Sequence, residues 1–347
     1  MRILILKPSS LGDIVHAIPV LRLLRLNFPS AEIYWWVDSH FAGIFENDKD
    51  LNGLLIFNRN NWHKFSWLKT FCSTLSFARN KNFDLVIDLQ GLLRSGLFGW
   101  LSNSPNIIGV DQEREGATAF YDVFIPRPAI NAHAVDWYLE VLRYLKIPVH
   151  FNFEWLPEDN KAKESVSKKW SLDKRRYLAI CPGARWITKR LPREYFAEIA
   201  RIISGQEKDM DFVVIGGKDC SEIAELMKTV IGEKCINTAT RTTIKEMIEI
   251  IRLSEFFISN DTGPLHIAAA LKKPLLSFFG PTEPKRTGPY GFPQGVMQAD
   301  LPCVPCFKRK CRNNIELECL KRLTPEVIVE KFYQIKSSPM AYKYSVA

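Results

Sequence analysis
No apolar run in this 347-residue chain approaches the ~18 residues needed to cross a bilayer. The opening Met1-Arg2-Ile3-Leu4-Ile5-Leu6-Lys7 has too few apolar residues in a row for the core of a secretory signal peptide, and a cytoplasmic location is expected. Internal repeats and low-complexity tracts are missing. With 46% hydrophobic and 24% charged residues, the composition excludes extensive disorder, collagen and coiled coil. The G-x-G-x-x-G dinucleotide fingerprint is missing too, which disfavours a nicotinamide enzyme. Acidic residues are in deficit: 38 Asp and Glu stand against 47 Lys and Arg, a formal charge of +9. That excess favours an anionic partner, whether nucleic acid, a membrane surface or a phosphorylated substrate.

What the chain does have is length for two domains and a repeating strand–helix alternation. Ile3–Leu6, Ile33–Val37, Leu85–Leu89, Tyr177–Cys181, Phe212–Ile215, Phe256–Ile258 and Leu275–Phe279 read as strands. Their apolar runs lack polar alternation, as expected of strands covered on both faces. Amphipathic stretches such as Ile14–Leu26, Phe196–Ser204 and Ser221–Ile231 lie between them, which predicts βαβ units and parallel sheets. The pattern restarts at Tyr177 after a polar, helix-like stretch from Glu158 to Lys174. The expected architecture is α/β, with two Rossmann-like domains, 1–157 and 158–324. Thr324-Pro325-Glu326 then caps a last helix, and 325–347 is expected to pack back toward the first domain.

In such sheets ligands bind beyond the carboxyl ends of the strands, and three loops there carry chemistry. The first strand runs into Ser9-Ser10-Leu11-Gly12-Asp13. Asp13 in the first helical turn is explained by dipole complementarity, or as a general base in a cleft. After Tyr177–Cys181 comes Pro182-Gly183, then Lys189 and Arg190, an exposed basic loop or a contact for an anion. After Phe256–Ile258 comes Asp261-Thr262-Gly263-Pro264-Leu265-His266, followed by Ala268-Ala269-Ala270. Free N–H groups at that helix start and the Thr262 hydroxyl suit a phosphate, and Asp261 suits sugar hydroxyls. A second loop, Gly280-Pro281-Thr282-Glu283-Pro284, follows the next strand. Two adjacent polar loops at strand ends favour a binding site over capping alone.

Together these loops resemble those of bacterial ADP-heptose:lipopolysaccharide heptosyltransferases, a glycosyltransferase family (family 9) with the GT-B fold. The resemblance spans nearly the whole chain. Ile-Leu-Lys-Pro-Ser-Ser-Leu-Gly-Asp-Ile-Val-His is most similar to the opening strand of heptosyltransferase I. Pro-Gly-Ala…Lys-Arg-Leu-Pro is similar to the donor loop, with Leu191 where Trp is more usual. Asp-Thr-Gly-Pro-Leu-His-Ile-Ala-Ala-Ala and Phe-Gly-Pro-Thr-Glu-Pro are similar to the strongest family signature.

The resemblance implies a catalytic base at Asp13. It implies donor contacts at Lys189, Asp261, Thr262, Gly263 and His266, with Glu222 near a family carboxylate. It implies basic acceptor contacts at Arg59, Lys64, Arg94 and Arg114, with Gln90 and Gly91 on the same side; solvated surface charge explains the basic residues equally well. It also implies an ADP-heptose donor, an anionic Kdo–lipid A acceptor at the inner face of the cytoplasmic membrane, inversion at the anomeric carbon, no required cofactor and a monomer. Heptosyltransferase II, or another GT-B nucleotide-sugar transferase or epimerase, is the nearer alternative. A basic nucleic-acid-binding protein is the distant one, and it leaves the three strand-end loops unexplained.

Eight cysteines remain. Cys72, Cys181, Cys220 and Cys235 are scattered, as small buried hydrophobes are. Cys303, Cys306, Cys311 and Cys319 form C-x₂-C-x₄-C-x₇-C, which suits either a structural zinc or reduced thiols.

Overall fold
The protein is described by a computed structural model covering residues 1–58, 66–339 and 341–344. Its described residues divide into two compact units, Met1–Pro157 and Glu158–Tyr344. The first carries β1 (Arg2–Leu6), β2 (Glu32–Asp38), β3 (Gly53–Phe57), β4 (Leu85–Asp88), β5 (Ile107–Val110) and β6 (Val123–Ile125). The second carries β7 (Arg176–Cys181), β8 (Met210–Val214), β9 (Cys235–Asn237), β10 (Phe256–Asn260), β11 (Leu275–Phe279) and β12 (Val296–Gln298).

Each unit is one six-stranded parallel sheet. The orders are β3-β2-β1-β4-β5-β6 and β12-β11-β10-β7-β8-β9. Counted from the first strand of each unit, both read 3-2-1-4-5-6, the doubly wound order in which the chain reverses direction between strands 1 and 4. Those switch points lie between β1 and β4 in the first unit and between β7 and β10 in the second.

The central strands form because their residues are apolar on both faces. Ile3, Leu4, Ile5 and Leu6 are fully buried, as are Phe257 and Ile258. In the first unit Trp36 stacks on Phe98 with ring centroids 4.5 Å apart. The helix Leu11–Asn27 is buried at Gly12 and from Ile14 to Leu24. It even buries Arg22, whose guanidinium is held by Asp48 and Asp50, each at 2.7 Å, and by the Trp155 carbonyl.

β3, β5, β6, β9 and β12 escape the apolar-run reading; all but β5 are edge strands of their sheets. β6, β9 and β12 are also partly exposed. The polar stretch after 157 is the helix Asn160–Trp170, capped by the Asp159 carboxylate on the Ala162 N–H at 3.0 Å. The last helix, Pro325–Ser337, packs within the second unit, unlike the expected boundary at 324. Its apolar stripe includes Ile328, Phe332 and Ile335, and Phe332 meets Phe256 edge-on at 4.8 Å. Among the described residues no helix is long and apolar enough to cross a membrane.

Candidate functional site
The switch point of the second sheet gathers three polar side chains from three loops. Lys189 follows β7, Asp261 follows β10 and Thr282 follows β11. Lys189 Nζ and the Thr282 hydroxyl both donate to Asp261 Oδ2, each at 2.5 Å. Asp261 is 5% exposed and Lys189 18%, so the pair is largely shielded. Asp261 Oδ1 has no hydrogen bond from the described residues, which leaves an acceptor oxygen for a hydroxyl group.

Buried Asn260 fixes the loop that carries Lys189. Its Nδ2 donates to the Pro182 carbonyl at 2.5 Å, and its Oδ1 accepts from the Leu191 N–H at 3.1 Å. The loop also needs Gly183: a Cβ there would lie 2.6 Å from both Asp219 Oδ2 and Cys220 Sγ. Below it, the hydrogen bond with Cys220 and burial push the Cys181 thiol up from its ordinary range. Trp186 in the same loop faces two cations, Lys189 Nζ and the Arg309 guanidinium, each 5.1 Å from its ring.

Thr262 begins the helix Gly263–Ala270, and its hydroxyl makes no capping bond. Gly263 is half-buried beside it, while His266 is buried one turn on. Arg190 serves the loop itself, donating to the Ala184 carbonyl at 2.7 Å and pairing with Asp219 at 3.1 Å. Glu222 is exposed on the helix Lys218–Ile231, and no hydrogen bond joins it to the Lys189–Asp261–Thr282 group.

At the switch point of the first sheet, Asp13 Oδ2 accepts from the Ser10 N–H at 2.9 Å and the Ser10 hydroxyl at 2.7 Å. The carboxylate is thus fixed over the helix start and stays half-buried. A recess in the same unit is lined by residues that include Pro8, Ser9, Trp36, Phe57, Gln90 and Arg94. The Gln90 side-chain oxygen there has no hydrogen-bond partner among the described residues. Burial pushes the neighbouring Asp88 carboxyl up, opposed by hydrogen bonds from Ser95, Tyr121 and the Gly91 and Gln90 N–H groups. Arg114 is exposed on the loop after β5 and does not line this recess. Arg59 and Lys64 lie outside the described residues.

Among the described residues no three His, Cys, Asp or Glu side chains are grouped to hold a metal ion; burial, with Cys303, Cys306 and Cys311 nearby, pushes the Cys319 thiol up. Two of these thiols have separate protein partners. Cys303 Sγ accepts from Asn313 Nδ2 at 3.1 Å and Cys311 Sγ from the Leu317 N–H at 3.4 Å. Cys319 sits against Gly280, where a Cβ would be 3.1 Å from its sulfur. Two Asp-x-Asp triplets also lie outside both switch points. Asp48 and Asp50 are held by Arg22, while Asp211 pairs with Arg175 at 2.8 Å and Asp209 is exposed.

Residue-type reading missed Asn260 and the bond between Thr282 and Asp261. The Ser-Asn-Asp run at the end of β10 is the one signal that pointed to Asn260.

Known proteins resemble this chain over nearly its whole length. The chain is 28% identical to lipopolysaccharide heptosyltransferase 1 of Pseudomonas aeruginosa, covering 98% of this chain and 99% of that protein. It is also 28% identical to lipooligosaccharide heptosyltransferase 2 of Campylobacter jejuni, covering 95% and 97%. The Escherichia coli heptosyltransferase WaaC, solved with ADP, shares the fold with a TM-score of 0.74 at 23% identity, covering 97% of this chain and 100% of that one. The two Rossmann-like units are accordingly those of a GT-B glycosyltransferase. The family model described as glycosyltransferase family 9 (heptosyltransferase) matches residues 76–316, a stretch that contains Lys189, Asp261 and Thr282. The chain belongs to glycosyltransferase family 9, the heptosyltransferases.

Proposed function
We propose that the protein is an inverting transferase that moves L-glycero-D-manno-heptose from ADP-heptose to the Kdo–lipid A inner core of lipopolysaccharide. The observation that carries this reading is the Lys189–Asp261–Thr282 group at the second switch point, in a chain of this family. The heptosyltransferase names of its relatives support the sugar, and the ADP in the WaaC structure supports the nucleotide.

The roles follow from what the reaction needs. A sugar hydroxyl is a poor nucleophile, and a placed carboxylate that takes its proton contributes about 10²–10⁴-fold. Asp13 has that role, held by Ser10. The hydroxyl oxygen attacks the anomeric carbon, the bond from that carbon to the phosphate oxygen breaks, and ADP leaves with the electron pair. Negative charge therefore grows on the diphosphate. Lys189, the Thr262 hydroxyl and the N–H groups at the start of Gly263–Ala270 stabilise it more in the transition state than in the ground state. Asp261 Oδ1 accepts from donor-sugar hydroxyls. Arg94 and Gln90 meet the anionic acceptor beside Asp13, with Arg59, Lys64 and Arg114 as further basic contacts. Glu222 and His266 complete the donor side. No group beyond the donor is called upon. The protein works as a monomer in the cytoplasm against the inner membrane face, where anionic lipid accounts for its basic charge.

The equal similarity to a type 1 and a type 2 enzyme favours one second reading, transfer to an already heptosylated core. Two measurements test these choices. ADP-heptose, and not UDP-sugars, is expected to raise the unfolding temperature; equal stabilisation by UDP-sugars contradicts the donor. Kdo–lipid A is expected to be the better acceptor; transfer only to heptosylated core moves the assignment to the second reading.

A further inference from the structure
The basic run Lys308-Arg309-Lys310-Cys311-Arg312 lies in the cysteine-rich segment after β12, with its cationic side chains exposed. Its start is nevertheless fixed by the loops that carry Lys189 and Thr282. The Phe307 N–H donates to the Pro281 carbonyl at 2.7 Å, and the Thr188 hydroxyl donates to the Lys308 carbonyl at 2.8 Å. Thr188 directly precedes Lys189 and Pro281 directly precedes Thr282, so both bonds land next to members of the Lys189–Asp261–Thr282 group. Thr188 is 3% exposed, which shields its bond from water. Phe307 takes the left-handed conformation, with φ 54°, while its ring is exposed. That backbone is costly for an aromatic residue. Packing of an exposed ring offsets little of the cost, and the two bonds to the loops hold the turn.

Arg309 follows, and its guanidinium lies 5.1 Å from the Trp186 ring. Lys189 Nζ lies 5.1 Å from the same ring. The two cations are thus within about 10 Å of each other, one screening length at 0.1 M salt. Like charges held that close repel unless anions accompany them. Lys189 has one, the Asp261 carboxylate at 2.5 Å. Arg309 makes no hydrogen bond and no ion pair among the described residues. Among those residues it is also the one cation of the run that rests on a ring, and that ring belongs to the Lys189 loop.

We propose that Arg309 is a donor-binding residue that meets the diphosphate of the nucleotide sugar from the side of Trp186. This deepens, and rests on, the reading of the second unit as the donor site. Lys189 and Asp261 together carry no net charge, whereas the diphosphate is an anion. It becomes more negative in the reaction, as the bond from the anomeric carbon to the phosphate oxygen breaks and the electron pair leaves with that oxygen. A further cation is therefore needed, and the guanidinium suits the task. Its face rests on the indole, and the N–H groups along its edge remain available for phosphate oxygens. Arg309 moves no proton, because a guanidinium stays charged throughout.

Calorimetry of the full chain with ADP and with adenosine, beside steady-state kinetics, tests this. Arg309→Met is expected to unfold at the wild-type temperature, since the side chain is exposed. It is expected to bind ADP about tenfold more weakly, with a raised donor KM and a lowered kcat. Adenosine, which lacks the diphosphate, is expected to bind both chains alike. Arg309→Lys recovers part of the loss, because an ammonium presents no planar fork. Lys310→Met removes the same charge one residue on and is expected to change ADP affinity by less than about twofold. Unchanged ADP affinity in Arg309→Met overturns the proposal. An equal loss for adenosine assigns Arg309 to shaping the Trp186 loop, and an equal loss in Lys310→Met assigns the effect to net charge; either overturns it too. A wild-type chain that binds no ADP is a separate result, which overturns the donor reading and this proposal with it.

Discussion

At the scale of single residues, the account turns on one carboxylate in each sheet. Asp13→Asn keeps the Ser10 contacts largely available and removes the proton acceptor. It is expected to fold, to bind donor and to lose transfer by about 10²-fold or more; single-turnover rates check this. Lys189→Ala is expected to weaken donor affinity and turnover together, because the lysine faces charge in both ground and transition states. Unchanged donor binding by calorimetry, with unchanged rate, removes Lys189 from the site. Asp88 gives a pH prediction. Burial raises its carboxyl in the folded state, so its contribution to stability is fully present below the ordinary carboxylate value near about 3.9 and is lost as pH rises through the folded value. Asp88→Asn is therefore expected to raise the urea midpoint at pH 8 and to change it little at pH 3.5. The opposite ordering contradicts the burial explanation.

At the scale of elements, loops held from below decide where these residues stand. Asn260 binds the Pro182 carbonyl and the Leu191 N–H and so ties the Lys189 loop to β10. Asn260→Ala leaves two buried backbone groups unpaired, at about 1–3 kcal/mol each. It is expected to lower stability in urea and to weaken donor binding, although Asn260 is not proposed to touch the donor. Intact donor affinity in a destabilised Asn260→Ala detaches the loop geometry from binding. Much of this layer was legible in advance. The central strands announced themselves because residues such as Ile3–Leu6 are apolar on both faces, and Asp261 because a polar turn follows such a strand. The edge strands were not legible: β9 and β12 are three residues long and half-exposed, so they carry no period. The Lys189–Asp261–Thr282 contact joins three loops far apart in sequence, and spacing cannot encode it. The C-x₂-C spacing left a structural zinc and reduced thiols both open, and among the described residues no three His, Cys, Asp or Glu side chains are grouped to hold a metal ion.

At the scale of the whole molecule, two sheets of the same strand order are joined in one chain with a net charge of +9. No helix among the described residues is long and apolar enough to cross a membrane, and the proposed lipid contact is argued from the basic charge. Cosedimentation with vesicles containing anionic lipid is expected to exceed that with neutral vesicles and to fall as salt rises above 0.1 M, where the screening length is about 10 Å. Salt-insensitive binding contradicts an electrostatic attachment. The central claim, heptosyl transfer to a Kdo–lipid A acceptor with Asp13 as base, is tested most directly by mass spectrometry of that lipid after incubation with the protein and ADP-heptose. The account predicts a gain of one heptose with the wild-type chain and none with Asp13→Asn. A lipid of unchanged mass after incubation with wild-type protein, or the same gain with both chains, contradicts it.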